Sequence, residues 1–334
     1  MTAPRAITIL DVAREAEVSK STVSLVLQGS DRIRKETAQR VRDAALRIGY
    51  VYNRHAGELR RKSSNVIGLV INDLRNPFFA ELLTGLEHRL VEAGYVVLMA
   101  HTNESLARQQ QVLTTMREQN VAGIAFCPAR GTPASLPKTV LSWNIPLVVM
   151  IRTLGRGSYD FVGSDNESGV RLAVEHLLRA GHGRIAFLGG HGGPVLEQRL
   201  QGYKAALSGA GLTFDSGLVF AAGPTRQGGH DAMLKLLQAT PAITAAVSYN
   251  DLVAFGALSA LGERGLKAGA DFALMGFDNV LDAEHSNPPL STIDVGPEDL
   301  GERVAAMLLA RLQAPDLPRQ RYLAVPQLVL RQSA

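Results

Sequence analysis

The sequence predicts an α/β protein with a small helical head and a larger body of two lobes, each built on a doubly wound parallel sheet. Three observations carry this. The first fifty residues read as three short amphipathic helices; from residue 66 continuous apolar runs alternate with helical patterns; near residue 184 that alternation starts again. At 334 residues the chain exceeds one compact core, and a head plus two lobes fits its length.

The head comes first. In ITILDVAREAEV a helix starts at Thr8, with Asp11 three residues later as an acidic variant of the capping box, and Leu10, Val12, Ala13 and Ala16 as its apolar side. In VSKSTVSLVLQG, Ser19 caps a second helix, Val23, Val26 and Leu27 share one face, and Gly29 supplies the stop. Lys20, Ser21 and Ser24 fall toward the other face, a front of small hydroxyls and one cation. A third helix follows in RKETAQRVRDAALRIGY, with Ala38, Val41, Ala45 and Ile48 as its stripe and Gly49 closing it. A tight turn between the first two helices gives the helix-turn-helix plan, whose second helix is shaped for a major groove.

Charge supports that use. Residues 1–62 hold thirteen Lys or Arg against seven Asp or Glu, an excess of six, whereas the whole chain is +4, so the remainder is net acidic by two. A basic head on an acidic body is the electrostatic footprint of phosphate binding. After the head, YVYNRHAGELRRKSSN is polar and basic, with a short helix expected from Asn53 to Arg61 that Gly57 weakens by roughly 1 kcal/mol. Leu59 stands there alone among charges. The domain plan is therefore a head over residues 1–52, a hinge over 53–64 and a body over 65–334.

In the body, VIGLVIND, YVVLMAH, VAGIAFC and PLVVMI alternate with helical patterns; RIAFLGG, LVFAAG, TAAVSYND and FALMGFD repeat the scheme. Such runs read as strands buried on both faces of a parallel sheet. The first lobe is expected over about 65–163 plus 291–320, and the second over about 164–290 plus 321–334, because LSTIDV and GPEDLGERVAAMLLARL turn back to the first. A ligand cleft belongs at the carboxyl ends of the strands. Polar residues collect there: Asn72 and Asp73, His101 and Asn103, Asn250 and Asp251, Asp278 and Asn279.

Several classes are disfavoured. The lone Cys127 lies in an apolar run, which excludes a disulfide framework and a cysteine-rich metal site. The sequence holds no P-loop, GxGxxG after a strand, GxSxG elbow or HExxH, so neither catalysis nor a metal or other cofactor is expected. No signal-like opening segment and no bilayer-long apolar run is present, which predicts a cytoplasmic, nucleoid-associated protein with no membrane partner. The competing reading is a solute-binding protein or small-molecule sensor that uses the same body without operator readout.

The run TILDVAREAEVSKSTVSLVLQGS, then IRKETAQRVRDAALRIGYVYNRHAGELR, then SNVIGLVINDLRNPFFAEL resembles the lactose/galactose repressor (LacI/GalR) family of bacterial transcription regulators over essentially the whole chain. Its head and hinge are most similar to maltose-system regulators. The resemblance implies a helix-turn-helix head, a hinge helix and a periplasmic-binding-protein-like body that forms a homodimer on palindromic operator DNA, most often as a repressor. It further implies that Lys20 and Ser21 read base edges and that Thr22 and Ser24 meet phosphates. Leu59 would wedge into the minor groove beside Ala56, with Thr8, Ser19, Asn53 and Arg54 completing the DNA-binding set.

For the cleft, the resemblance implies a small-molecule effector, a sugar or other metabolite, bound by Arg199 (in RLQGY), Asn250 and Asp278, with Phe79 (in NPFF) as an aromatic wall. Each also has a structural reading: a salt bridge for Arg199 and Asp278, capping for Asn250, lobe packing for Phe79. Four departures stand out. Glu17 occupies a turn position where glycine is usual, and Arg34 replaces a serine cap. Leu25 stands where a base-contacting arginine is frequent. Ile151 replaces a frequent pocket aspartate, which weakens a sugar-like hydrogen-bonding pattern.

Overall fold

A computed structural model describes residues 7–27, 30–50, 64–155, 157–239 and 242–334. The expected hinge residues Asn53, Arg54, Ala56 and Leu59, and the stop at Gly29, lie outside the described residues. The chain divides into two units, Met1–Ser64 and Asn65–Ala334.

In the head, α1 (Ile9–Glu15), α2 (Lys20–Leu27) and α3 (Lys35–Arg47) close on a core of Val12, Ala16, Val23, Val26, Val41 and Ala44. The Asp11 carboxylate accepts from the Thr8 backbone N–H at 2.8 Å and from its hydroxyl at 2.7 Å, which starts α1. One expectation is corrected: Leu10 is 53% exposed and does not join the core. The buried face runs Ile9, Val12, Ala13, Ala16, the i, i+3, i+4, i+7 series from Ile9, so Ile9 takes the place assigned to Leu10. Glu17 has φ 49°, a left-handed conformation that costs a non-glycine residue up to about 1 kcal/mol. Arg34 caps α3 with no side-chain hydrogen bond.

The body holds two parallel sheets. The first comprises β1 (Val66–Ile71), β2 (Val96–His101), β3 (Gly123–Phe126), β4 (Leu147–Met150), β5 (Asp160–Ser164) and β11 (Arg321–Ala324), in the order β11-β5-β4-β3-β1-β2. The second comprises β6 (Ile185–Leu188), β7 (Val219–Phe220), β8 (Ala245–Ser248) and β9 (Ala273–Met275), in the order β7-β6-β8-β9. β10 (Thr292–Asp294) and β12 (Gln327–Val329) form an antiparallel ribbon. Helices α4 (Phe78–Glu92), α5 (Leu106–Glu118) and α6 (Leu136–Leu141) belong to the first lobe. In the second are α7 (Asn166–Arg179), α8 (Pro194–Gly209), α9 (Arg226–Ala239), α10 (Asp251–Glu263) and α11 (Asp282–His285), and α12 (Pro297–Gln313) packs back on α4.

The crossings differ from the expected ones. Ser291 and Asp294 still bridge to Met275 and Asp278 of the second lobe, so the chain returns to the first only with α12. β11 then adds to β5 in parallel register, Arg321 opposite Phe161, so residues 321–324 belong to the first lobe and not the second. A buried ion pair fixes this return: the Arg311 guanidinium meets both carboxylate oxygens of Asp160 at 3.0 and 3.1 Å, and the Gln320 N–H donates to Asp160 at 2.8 Å. The run LVFAAG yields only the two-residue edge strand β7, because Ala222 turns to bridge Gly190 in antiparallel sense.

Glycines let the helix pairs of the body close. A Cβ on Gly85 of α4 would collide with the Glu298 carbonyl of α12, and one on Gly301 with the Leu82 carbonyl. Gly202 of α8 meets Glu167 of α7 in the same way, and Gly229 and Gly256 do so between α9 and α10. Gly262, by contrast, faces open space. Gly85→Ala should therefore destabilise the body by about 1–3 kcal/mol through overpacking. Gly262→Ala should be neutral or stabilising by up to about 1 kcal/mol, as helix propensity alone dictates. Urea denaturation of both variants against the parent checks the pair.

Candidate functional site

Two surfaces concentrate polar chemistry, one in each unit. On the head, α2 buries Val23 and Val26 and turns Ser19, Lys20 and Ser21 to solvent, with Thr22 and Ser24 half-buried beside them. The Ser19 hydroxyl accepts from the Thr22 backbone N–H at 3.1 Å, capping the helix, and hydrogen-bonds the hydroxyls of Ser21 (2.7 Å) and Thr22 (2.8 Å). This hydroxyl cluster is pre-ordered at the start of α2, where the exposed Lys20 also lies. The Thr8 hydroxyl is committed to Asp11.

In the body, the carboxyl ends of the strands enclose a cavity of about 300 Å³ between the lobes. Phe79, Arg199, Asn250 and Asp278 all line it. Arg199, on α8, is 5% exposed and heavily engaged. Its Nε donates to Asn166 Oδ1 at 2.9 Å, its Nη1 to the Tyr249 carbonyl, and its Nη2 lies 3.5 Å from Asp278 Oδ1. The guanidinium stacks 3.7 Å from the centre of the Phe277 ring. Asn250 caps α10, accepting from the Val253 N–H at 3.1 Å. Phe79 packs edge-on against Phe78, their centroids 5.4 Å apart. The structural contacts foreseen for these residues are thus present, within the same cavity. Burial pushes the Asp278 carboxyl above the ordinary range; Arg199 opposes that shift and the nearby Asp251 carboxylate adds to it.

The first-lobe wall holds a group that the sequence reading missed. Glu104 accepts from Arg152 at 2.7 and 2.9 Å, from Asn72 Nδ2 at 2.8 Å and from the Arg130 backbone N–H at 2.8 Å. Below it, the buried Cys127 thiol donates to Asn72 Oδ1 at 3.3 Å, and burial pushes that thiol up to about 12. Arg130 and Arg152 each follow an apolar strand run by one to three residues, and that position just beyond a strand end is the signal that marks them in the sequence. Backbone strain gathers here as well: Asn103, Glu104, Ile151, Asp278 and Asn279 have φ between 49° and 121°. At Ile151 (φ 65°) the residue is β-branched and apolar, an outlier of the kind that clusters at functional sites.

Among the described residues, two hydrogen bonds cross the cleft. Arg130 Nη1 donates to the His191 carbonyl at 3.0 Å, and the Leu281 N–H donates to Glu81 Oε1 at 2.9 Å. Beyond Arg130 lies a second chamber of about 340 Å³, which shares Arg130, Arg152, Val195 and Tyr249 with the first. No group of His, Cys, Asp or Glu with metal-binding spacing occurs among the described residues. Nor, among them, is any helix long and apolar enough to cross a membrane.

The Glu104 cluster makes an acid-sensitive contribution. Hydrogen bonds and the Arg152 charge outweigh burial and hold its carboxyl down at about 2, against 4.5 for a free glutamate. A lowered carboxyl stabilises the fold above the unfolded value and loses that contribution as pH falls from about 4.5 toward 2. Glu104→Gln should remove up to about 3 kcal/mol of body stability at pH 7 and flatten the acid limb of the pH–stability curve. Denaturant midpoints of variant and parent between pH 7 and pH 3 measure this.

Residues 8–53 match the model of bacterial regulatory proteins of the lacI family, and residues 174–334 match the periplasmic binding protein-like domain. The chain is 37% identical over 287 residues to the maltose regulon regulatory protein MalI of Escherichia coli (strain K12), covering 86% of this chain and 83% of that protein. It is 31% identical to the HTH-type transcriptional regulator DegA of Bacillus subtilis (strain 168), covering 98% and 97%. Among solved structures, the lac repressor dimer bound to operator and the anti-inducer ONPF superposes with a TM-score of 0.84 at 26% identity, over 98% of this chain and 99% of that one. A complex of the transcriptional regulator CelR with cellobiose gives 0.75 at 30% identity, over 98% and 100%. With its helix-turn-helix head and two-lobed parallel-sheet body, the chain belongs to the LacI family of bacterial transcriptional regulators.

Proposed function

We propose that this protein is a homodimeric repressor that binds a palindromic operator through α2 and answers to a small-molecule effector held in the cleft of the body. The pre-ordered hydroxyl–lysine front of α2, in a head and hinge (residues 1–62) with six excess positive charges, supports this most strongly. A lysine at the start of a groove-reading helix donates to guanine O6 and N7, while hydroxyls beside it serve bases or phosphates. The half-buried Leu25 offers apolar contact instead of a cationic one.

Dimerisation draws support from the edge strand β2. Its Val96 (53%), Leu98 and Met99 (39% each) are exposed on a strand whose outer side has no partner in the sheet among the described residues. Apolar edges of this kind are covered in stable proteins, here by the same patch of a second copy. The relatives named for sugars make a carbohydrate or related metabolite the natural occupant of the cleft. A ligand that touches both lobes shifts DNA affinity only by its differential affinity for two arrangements of the body.

Three outcomes are expected. Lys20→Ala should cost roughly 1–3 kcal/mol of discrimination per half-site, weakening the selected operator far more than random DNA; equal losses on both would assign Lys20 to phosphate. Met99→Lys should shift the protein toward monomer in sedimentation and weaken operator binding. Asp278→Asn, which keeps an acceptor facing the buried Arg199, should leave unliganded operator affinity in place and weaken its response to a metabolite extract, and an unaltered response would remove the Asp278 carboxylate from the site.

A further inference from the structure

The cleft has an uneven charge balance. Three of its guanidiniums have carboxylate partners of their own. Asp73 takes Arg75 through both oxygens at 2.9 Å, Glu104 takes Arg152, and Asp278 faces Arg199. The fourth, Arg130, has among the described residues only a distant share of the Glu104 carboxylate that Arg152 holds. Its Nε lies 3.9 Å from Glu104 Oε2, a carboxylate already filled by Arg152 and Asn72, and its Nη1 donates to the neutral His191 carbonyl. Its side chain is 42% exposed and borders both chambers.

This arrangement is rich in donors and poor in acceptors. A neutral sugar is gripped well when free carboxylates accept its paired hydroxyls. Here every carboxylate that lines the cavity already faces a guanidinium, and Ile151 adds an apolar chain at a strand end where it can accept nothing. Burial further disfavours negative charge on Asp278. An unmatched guanidinium fork at the junction of two chambers suits a planar carboxylate or a phosphate, each of which accepts two parallel N–H bonds.

We propose that the cleft takes a hydroxylated metabolite bearing an anionic group, a carboxylate or a phosphate, seated on Arg130 where the two chambers meet. This rests on the effector reading of the cleft. The anionic group replaces the His191 carbonyl or joins it as acceptor, while hydroxyls of the ligand body meet Asn76, Thr225 and Asn250 in the first chamber.

The test uses the dialysed full-length protein, incubated with a bacterial metabolite extract and recovered by ultrafiltration, with the retained compounds identified by mass spectrometry. A retained anionic polyol is expected, its retention falling at least tenfold in Arg130→Gln, which keeps a donor for the His191 carbonyl but loses the charge, and recovering in part in Arg130→Lys. Calorimetry with gluconate against glucose, and with ribose 5-phosphate against ribose, separates carboxylate from phosphate preference; in either pair the charged member should bind more tightly. Retention of a neutral compound, equal retention by Arg130→Gln, or tighter binding of both neutral parents would overturn the assignment, as would failure to retain anything. Titration of operator with the retained compound keeps the two readings apart: an anion that binds through Arg130 without altering operator affinity sinks the effector reading and leaves the anion site standing.

Discussion

A guanidinium removed from water has to be compensated on every side, and the burial of Arg199 sets the geometry of the second lobe. Its partners come from four places: Asn166 at the start of α7, the Tyr249 carbonyl after β8, Asp278 after β9 and the face of Phe277. Satisfying one cation therefore fixes the ends of two strands and two helices relative to each other. An ion pair taken out of water is stabilising only when such extra bonds accompany it. Arg311 does the corresponding work in the first lobe, locking α12 and the approach to β11 onto Asp160. The cleft lies between two frameworks made rigid by buried arginines.

Much of the fold was legible because its determinants are local. Thr8 with Asp11, and Ser19 with Thr22, are caps separated by three residues, and the apolar stripes of α2 and α3 recur within a few turns. The strands of the parallel sheets are buried on both faces, so they read as continuous apolar runs. Leu10 was misplaced because a seven-residue helix is too short for its apolar residues to fix the phase of the buried face. β11 was assigned to the wrong lobe because RYLA is a short edge strand behind a proline, with one buried residue, and nothing local says which sheet it joins.

The cleft was legible in part. Arg199, Asn250, Asp278 and Phe79 came from strand ends and from short segments that match the family, and they share one cavity. Glu104 escaped because its meaning is tertiary: its partner Arg152 lies 48 residues away, and the glutamate does not stand out until a turn with positive φ at Asn103 and Glu104 brings the carboxylate over β1 and β3. The bonds from Arg130 to His191 and from Leu281 to Glu81 also join residues far apart in the chain. Both must break if the lobes separate, so they bias the two lobes toward the arrangement in which they are joined.

The condition of Cys127 has a practical side. It is the only cysteine of the chain, fully buried, hydrogen-bonded to Asn72 and held far from its thiolate form at neutral pH. Maleimides and other thiol reagents attack the thiolate, so the natural chain is close to silent toward them. Single cysteines introduced on the rims of the two lobes could then carry fluorophores or spin labels without first deleting a native thiol. The distance across the cleft becomes measurable in solution, molecule by molecule, in a protein whose own chemistry adds almost no background.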